Sequence, residues 1–308
     1  MERLTGGERV PDTLRGGIIA LGNFDGFHIG HQAVVGHAVK LAHAQGRPAI
    51  VATFDPHPVH YFHPDMPPFR LTTLDQRQQL FKAAGADAML VLHFDETLAN
   101  VTADSFVREW LVGQTGTTGV VTGEDFTFGK GREGSVASLK GLGAPLGMAC
   151  ETVGPVSEGG QAVSSSRIRQ ALQGGDCTTA TRLLTRAFAV RSVVQDGDKV
   201  GRQLGYPTAN LDMGDYLRPR YGIYAVRARL PDGRLLDGVA NLGIRPSFDP
   251  PKELLEPYFF DFTGDLYGLE IAVELIEFLR GEAKFDDMEL LKAQMARDCD
   301  AARIVLRR

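Results

Sequence analysis

IIALGNFDGFHIGHQ, residues 18–32, decides the reading of the N-terminal half. Ile18–Gly22 opens it as a short apolar run of the kind that forms a buried strand, and a mixed polar and apolar run from His31 to Gln45 follows as a helix. Between them Gly22, Gly26 and Gly30 let the backbone come close to a ligand, and the helix start supplies unpaired N–H groups and a positive dipole end. His28 and His31 then fall a turn apart or less, on one side of that pocket, as donors to triphosphate oxygens. The segment lacks the Gly-Lys-Ser/Thr ending of a Walker A loop and does not follow the G-x-G-x-x-G dinucleotide pattern. A glycine-rich turn with surface histidines is the plain alternative; strand, glycines, paired histidines and helix in this order favour a nucleotide site.

Outward from this element the pattern repeats. Strands are expected at Ala49–Phe54, Ala88–Leu92, Val120–Thr122 and Met148–Val153, and helices at Asp75–Ala84, Ala103–Leu111 and Arg167–Gln173. Thr102 and Ser165 or Ser166 stand as N-caps of the last two. Alternating strands and helices imply a Rossmann-like parallel sheet. After about Leu184 the chain changes to β-type runs broken by Gly and Pro: Ala189–Gln195, Gly222–Arg229, Leu236–Leu242, Tyr258–Phe262 and Glu270–Phe278. These read as a small antiparallel barrel, closed by a helix over Met288–Arg303. The expected domains are therefore 1–185 and 186–308, in keeping with a 308-residue chain that is long for one core.

With 43% apolar and 23% charged residues the composition is that of an ordered globular protein. A net charge of −5 speaks against a protein that coats nucleic acid, so anionic ligands must be held by local geometry. No run approaches the roughly 18 apolar residues of a membrane span, and the N-terminus lacks an apolar signal core. Cys150, Cys177 and Cys299 are odd in number and widely spaced, which fits a reducing cytoplasm and no cysteine metal site. The sequence leaves the oligomeric state open.

Further segments carry candidate chemistry. Val163–Arg169, VSSSRIR, sets Ser164 to Ser166 at a helix start and Arg167 or Arg169 as a charge partner for departing pyrophosphate. TFDPHP (53–58) and GEDFTFG (123–129) end two strands, where open parallel sheets bind ligands. Phe54, His57 and Phe128 offer an aromatic lining for a flat co-substrate, with Asp125 as a polar contact; Phe54 and Phe126 as plain core is the alternative. His57, His60 and His63 repeat every third residue, but the intervening prolines predict an extended loop, not a helix face that could hold a metal. In the C-terminal half, Gly201 and Gly205 permit a turn around phosphates. Thr208 and Asn210 of PTAN place two neutral oxygens on one side of a strand, a pair suited to Mg²⁺ with ATP, and Glu256 is a candidate general base.

Taken in order, GNFDGFHIGH, TFDPHP, GEDFTFG with Arg132, SSSRIR, GRQLGYPTAN, PRYGIYA, GVANLGIRPSF, DFTGDLYG and FLRGEAKF resemble the bacterial bifunctional riboflavin kinase/FMN adenylyltransferases, or FAD synthetases. The resemblance covers roughly residues 16–300. It implies an N-terminal domain that adenylylates FMN to FAD and a C-terminal barrel that phosphorylates riboflavin, each with ATP and Mg²⁺. Gly22, Phe24, Asp25, His28, His31, Ser164 and Arg167 are the implied ATP contacts of the first site, with His28 and His31 catalytic; Phe54, His57, Pro58, Asp125 and Phe128 are its flavin wall. In the kinase site, Gly201 and Gly205 serve ATP, Thr208 and Asn210 the metal, Glu256 the ribityl hydroxyl, and Arg280 and Glu282 the flavin. Ser166 and Ser247 replace threonines of the family pattern and keep the hydroxyl. Pro257 follows the base where an ordinary residue is common, and is expected to bend that strand or hold it at an edge. An amino-acid or pantoate adenylating enzyme shares the His-Ile-Gly-His string but gives no reason for PTAN. A flavin carrier without turnover is opposed by two intact phosphate clamps.

Overall fold

In the computed structural model, which describes residues 1–196, 205–245 and 252–307, Ile18–Leu21 forms the second strand, β2, with all four residues buried. Its side chains alternate between two apolar cores. Ile19 and Leu21 pack into one with Phe106, Val107, Leu111 and Leu139; Ile18 and Ala20 pack into the other with Val34, Val35, Ala38 and Ala42 of the helix Ile29–Ala44. A strand buried on both faces is the signature of a parallel sheet covered by helices, each buried Leu, Ile or Val contributing about 1.5–3 kcal/mol. The sheet is six-stranded: β1 (Glu2–Thr5), β4 (Ala88–His93), β3 (Ala49–Asp55), β2, β5 (Gly119–Gly123) and β8 (Ala149–Val153), in that spatial order, with every pairing parallel. Strand order reverses between β2 and β5, so the C-terminal ends of these strands open the crevice in which such sheets bind ligands. Short hairpins β6 (Thr127–Phe128) with β7 (Gly134–Ser135) and β9 (Ser157–Glu158) with β10 (Gln161–Ala162) complete this unit.

The expected strands all form, and the edge strand β1 joins them unpredicted. The helix expected from His31 starts at Ile29, because His28 acts as its N-cap. Thr102 caps as expected, its hydroxyl accepting from Ser105 N at 3.1 Å, but the helix continues as a π-helix over Phe106–Gly113. The helix Ser165–Gly174 takes Ser165 and Ser166 into its first turn, so neither is the cap, and Cys177–Leu184 is a further helix.

The barrel is closed among the described residues, in the order β11 (Phe188–Gln195), β12 (Asn210–Asp212), β15 (Lys252–Phe259), β14 (Leu235–Arg245), β13 (Gly222–Arg229) and β16 (Glu270–Arg280), all antiparallel. Val190, Leu211, Tyr224, Val226, Leu242, Leu255, Val273 and Leu275 are buried. The helix Met288–Leu306 packs Cys299 and Ala302 with Ala225 and Phe260. β15 was expected at Tyr258–Phe262; it begins at Lys252, since Glu253, Glu256 and Pro257 hide the apolar alternation of Leu255 and its neighbours. By backbone contacts the chain divides into one unit of Met1–Pro67 with Thr72–Ser164 and another of Pro68–Leu71 with Ser165–Arg308.

Candidate active sites

At the end of β2 the chain turns through Phe24 and Phe27, both at positive φ (51° and 46°), a region that aromatic residues rarely occupy. Burial holds them there: each ring packs edge-on against Phe81, at 5.9 and 5.1 Å. A Cβ on Gly22 would stand 3.1 Å from the Phe24 ring, so the glycine makes room for it. Asp25 turns inward; its Oδ1 accepts from the amide and the hydroxyl of Thr72 at 3.0 and 3.1 Å, and Thr72 Oγ1 accepts from Gly26 N at 2.9 Å. The loop is thus tied down from behind.

His28 is buried, and its Nδ1 accepts from His31 N at 3.3 Å, capping the helix. With Nδ1 an acceptor, the ring proton lies on Nε2. His28 and His31 stack at 3.6 Å between centroids, 20° from parallel, and His31 stands edge-on to Phe24. Gly30 is small for a reason visible here: a Cβ would lie 3.1 Å from His28 Cε1. The two imidazoles, backed by aromatic packing, stand at the first turn of a helix, the end whose positive dipole favours anions.

The β3 and β5 ends flank this element in the sheet. Phe54 and Phe128 are both more than nine-tenths buried, Phe54 edge-on to Phe94 at 6.0 Å and Phe128 under Phe126 at 5.8 Å. His57 is half-buried and caps a short helix, Pro58–Phe62, its Nδ1 accepting from Val59 N at 3.2 Å. The extended loop expected over His57–His63 is therefore a helical turn. Pro58 starts it, at the first helical position, where a missing N–H costs nothing. Asp125 is exposed and folds back over Gly123, where a Cβ would meet its Oδ1 at 3.0 Å. Of the two arginines of SSSRIR, Arg169 donates to Phe69 O at 2.8 Å and lies over the Phe69 ring, while Arg167 is half-buried and Ser164 exposed.

In the barrel the site residues come together through strand register. Ala209 N donates to Pro257 O at 2.9 Å and Leu211 pairs with Leu255, which sets Asn210 level with Glu256 on the neighbouring strand. On the other side Asn241 pairs directly with Glu256. Asn210 is buried, Thr208 and Glu256 half-buried. Pro257 neither bends β15 nor moves it to an edge: β14 and β15 pair without a slip from Gly238↔Phe259 to Arg245↔Lys252. The reason is directional. Pro257 points its carbonyl, and with it the nitrogen that has no hydrogen, toward Ala209, just before β12 begins at Asn210. The missing donor falls where that ladder stops anyway.

Glu282 reaches across Gly243, where a Cβ would stand 2.1 Å from Glu282 Oε1 and 3.4 Å from Asn241 Nδ2. Nearby, Glu253 accepts from Arg218 Nε at 2.7 Å and from the Tyr221 hydroxyl. Burial alone would raise the Glu253 carboxyl, but these hydrogen bonds outweigh it and hold it below the usual range; burial and the same bond push Tyr221 up to about 12. Arg280 is engaged by the terminal helix, giving Nε and Nη2 to the two oxygens of Asp298 at 2.8 and 2.6 Å. Gly205 has φ of 84°, a backbone conformation that glycine adopts readily, whereas Gly201 and Ser247 lie outside the described residues. Thr72, Arg77 and Asn241 were not anticipated. Thr73 and Gln76, a T-x-x-Q capping box that starts the helix Leu74–Ala83, marked the neighbourhood of Thr72 and Arg77 in the sequence.

A helix start dressed with imidazoles at the switch point of a parallel sheet, and a barrel wall carrying amide and carboxylate oxygens in one row, fit a nucleotide-dependent transferase with two sites. The FAD synthetase family profile matches residues 10–167, and the riboflavin kinase profile matches 184–306. The bifunctional riboflavin kinase/FMN adenylyltransferase of Haemophilus influenzae is 34% identical over 98% of this chain and 98% of its own length. The Escherichia coli K12 protein of the same name is 36% identical over 92% and 90%, and that of Bacillus subtilis 35% over 91% and 90%. A solved structure described as a macrolide-efflux protein from Streptococcus pneumoniae superimposes with a TM-score of 0.87 at 28% identity, covering 98% of this chain and 99% of that one. No described helix of this chain is long and apolar enough to cross a membrane. The chain belongs to the bifunctional riboflavin kinase/FMN adenylyltransferase family. It is a transferase with both activities, on the route from riboflavin through FMN to FAD.

Proposed function

We propose that the barrel phosphorylates the ribityl 5′-hydroxyl of riboflavin and the sheet unit joins the resulting FMN to the AMP part of ATP, each at the residues named here. The register that levels Asn210 with Glu256 carries the kinase assignment. Glu256 takes the proton of the 5′-hydroxyl as its oxygen bonds to the γ-phosphorus and ADP leaves. Gly201 and Gly205 admit the phosphates of that ATP, and Glu282 and Arg280 orient the flavin, Asp298 fixing the guanidinium. At the sheet unit a phosphate oxygen of FMN attacks the α-phosphorus of ATP and pyrophosphate departs. His28 Nε2–H and His31 donate to the phosphates, with Ser164 and Arg167 completing the clamp. Gly22, Phe24 and Asp25 act by shaping the loop, the buried Asp25 through Thr72. His57, Pro58 and Asp125 border the flavin, and Phe54 and Phe128 form the apolar floor beneath it.

Thr208 and Asn210 would hold Mg²⁺ in the kinase site: a hydroxyl and an amide oxygen, with the Glu256 carboxylate on the adjoining strand, are the hard oxygen donors this ion takes. Bound there, Mg²⁺ offsets charge on the ATP phosphates. The functional domains are 1–185 and 186–308, and the free state of all three cysteines accords with a reducing cytoplasm.

The test is to incubate the protein with riboflavin, ATP and Mg²⁺ and separate the flavins. The parent should give FMN and FAD, His28→Ala FMN without FAD, and Asn210→Ala neither. FAD from folded His28→Ala, or FMN from folded Asn210→Ala, removes the corresponding assignment.

A further inference from the structure

Behind the loops of the sheet unit lies a buried cation with no part in the contacts described so far. Arg77, on the helix Leu74–Ala83, is 3% exposed. Its Nη1 donates to Asn23 O at 3.2 Å and to Thr53 Oγ1 at 2.8 Å, and its Nη2 lies 3.5 Å from Asp55 Oδ1. Thr53 Oγ1 in turn donates to the same Asn23 carbonyl at 2.7 Å. Asn23 belongs to the loop between β2 and His28, whereas Thr53 and Asp55 bracket Phe54 at the end of β3 and lead into His57 and Pro58.

A guanidinium taken out of water is costly unless it is fully hydrogen-bonded, and an apolar side chain of the same size fills space at less cost. A residue that only packed the helix against the sheet would not need this charge. What the charge adds is a planar fork that can hold two loops at once. Nη1 joins Asn23 O of the loop that carries the histidines to Thr53 Oγ1 of the strand end that carries the flavin wall, and Nη2 faces Asp55 at that same strand end.

We propose that Arg77 is a positioning residue of the adenylyl transfer step, setting the spacing between the ATP loop and the flavin loop; this rests on the assignment of those loops given above. Transfer requires the attacking phosphate oxygen to sit within roughly 3–3.5 Å of the α-phosphorus, in line with the departing pyrophosphate. Each loop can still bind its own substrate if the fork is cut. What changes is the distance between the two, so the loss falls on turnover more than on affinity.

The experiment is steady-state adenylylation of supplied FMN by the full-length protein, with riboflavin phosphorylation by the same sample as internal control. Arg77→Met should lower kcat for FAD formation by about 100-fold, the cost of roughly an ångström of misplacement, with the KM of ATP and of FMN each within a few-fold of the parent. Arg77→Lys should fall between, because an ammonium can serve Thr53 or Asn23 but cannot fork to Asp55 as well. Asp55→Asn should cost less alone than Arg77→Met, and should add little to it. An unchanged kcat in Arg77→Met overturns the proposal. So does a loss shared equally by the kinase reaction, or one that disappears once activity is corrected for folded protein, since either reports stability and not positioning. His28→Ala separates the two levels: if it keeps FAD formation, the loop assignment itself is wrong, whereas an inactive His28→Ala beside a fully active Arg77→Met removes only the role of Arg77.

Discussion

In the sheet unit most of the residues proposed to hold ATP follow one another between Gly22 and His31, whereas in the barrel Asn210, Asn241 and Glu256 come from three strands and meet only through register. The local site is shaped by one turn of chain and depends on what anchors that turn from behind, Thr72 and Arg77. The distributed site needs no anchor of that kind. Its geometry is held by an unbroken ladder, and it is sensitive to anything that shifts a strand or blocks the short approach across Gly243. Two activities in one chain thus rest on different kinds of support, and substitutions should separate them.

The sharpest separation is expected at Glu256. Glu256→Gln keeps the shape of the side chain and removes its basicity, so kinase kcat should fall by about 10²–10⁴-fold while FAD formation from supplied FMN stays at the parental rate. Parental kinase activity in this variant would break the assignment of the base. His28→Ala should do the reverse, lowering FAD formation about 10²–10³-fold, the usual effect of losing one preorganised donor, and leaving FMN formation intact. Chromatography of the two products reads both variants in one run.

Gly243→Ala sharpens the comparison at smaller amplitude. Its Cβ would stand 2.1 Å from Glu282 Oε1, so the carboxylate must move while the ladder stays paired. The KM for riboflavin should rise about tenfold, equivalent to roughly 1.4 kcal/mol, with the far-ultraviolet spectrum unchanged. Thr72→Val tests the anchor of the other site. It deletes a donor to Asp25 and the acceptor of Gly26 N, both buried, and should cost about 1–3 kcal/mol of stability. Calorimetry should show this in the sheet unit with the barrel transition unmoved.

The same contrast explains what the sequence made legible. The nucleotide loop could be read because its strand, glycines, histidines and helix are consecutive, and only the helix start moved, from His31 to Ile29, once His28 became the cap. β15 was placed too late because two glutamates and a proline interrupt its apolar pattern. Pro58 was read as a helix breaker where it is a helix starter. Thr72 and Arg77 escaped notice because alternation does not say which polar residues of a helix and its approach turn inward. Asn241 required a register, which no single strand contains. The groups proposed to touch substrate were largely visible; those proposed to hold them still were not.

Closure of the barrel has a consequence for the life of the chain before and between its catalytic cycles. Among the described residues the closed ladder presents no unpaired strand edge, so the barrel strands offer no template for a passing chain to extend. The open sheet has two edges, and one of them is β1, four residues long, mostly exposed and bearing Glu2 and Arg3. That short charged strand shields β4, whose Ala88, Met89, Leu90 and Leu92 are almost wholly buried. Four residues, Glu2–Thr5, thereby blunt one edge of the open sheet as a template for aggregation.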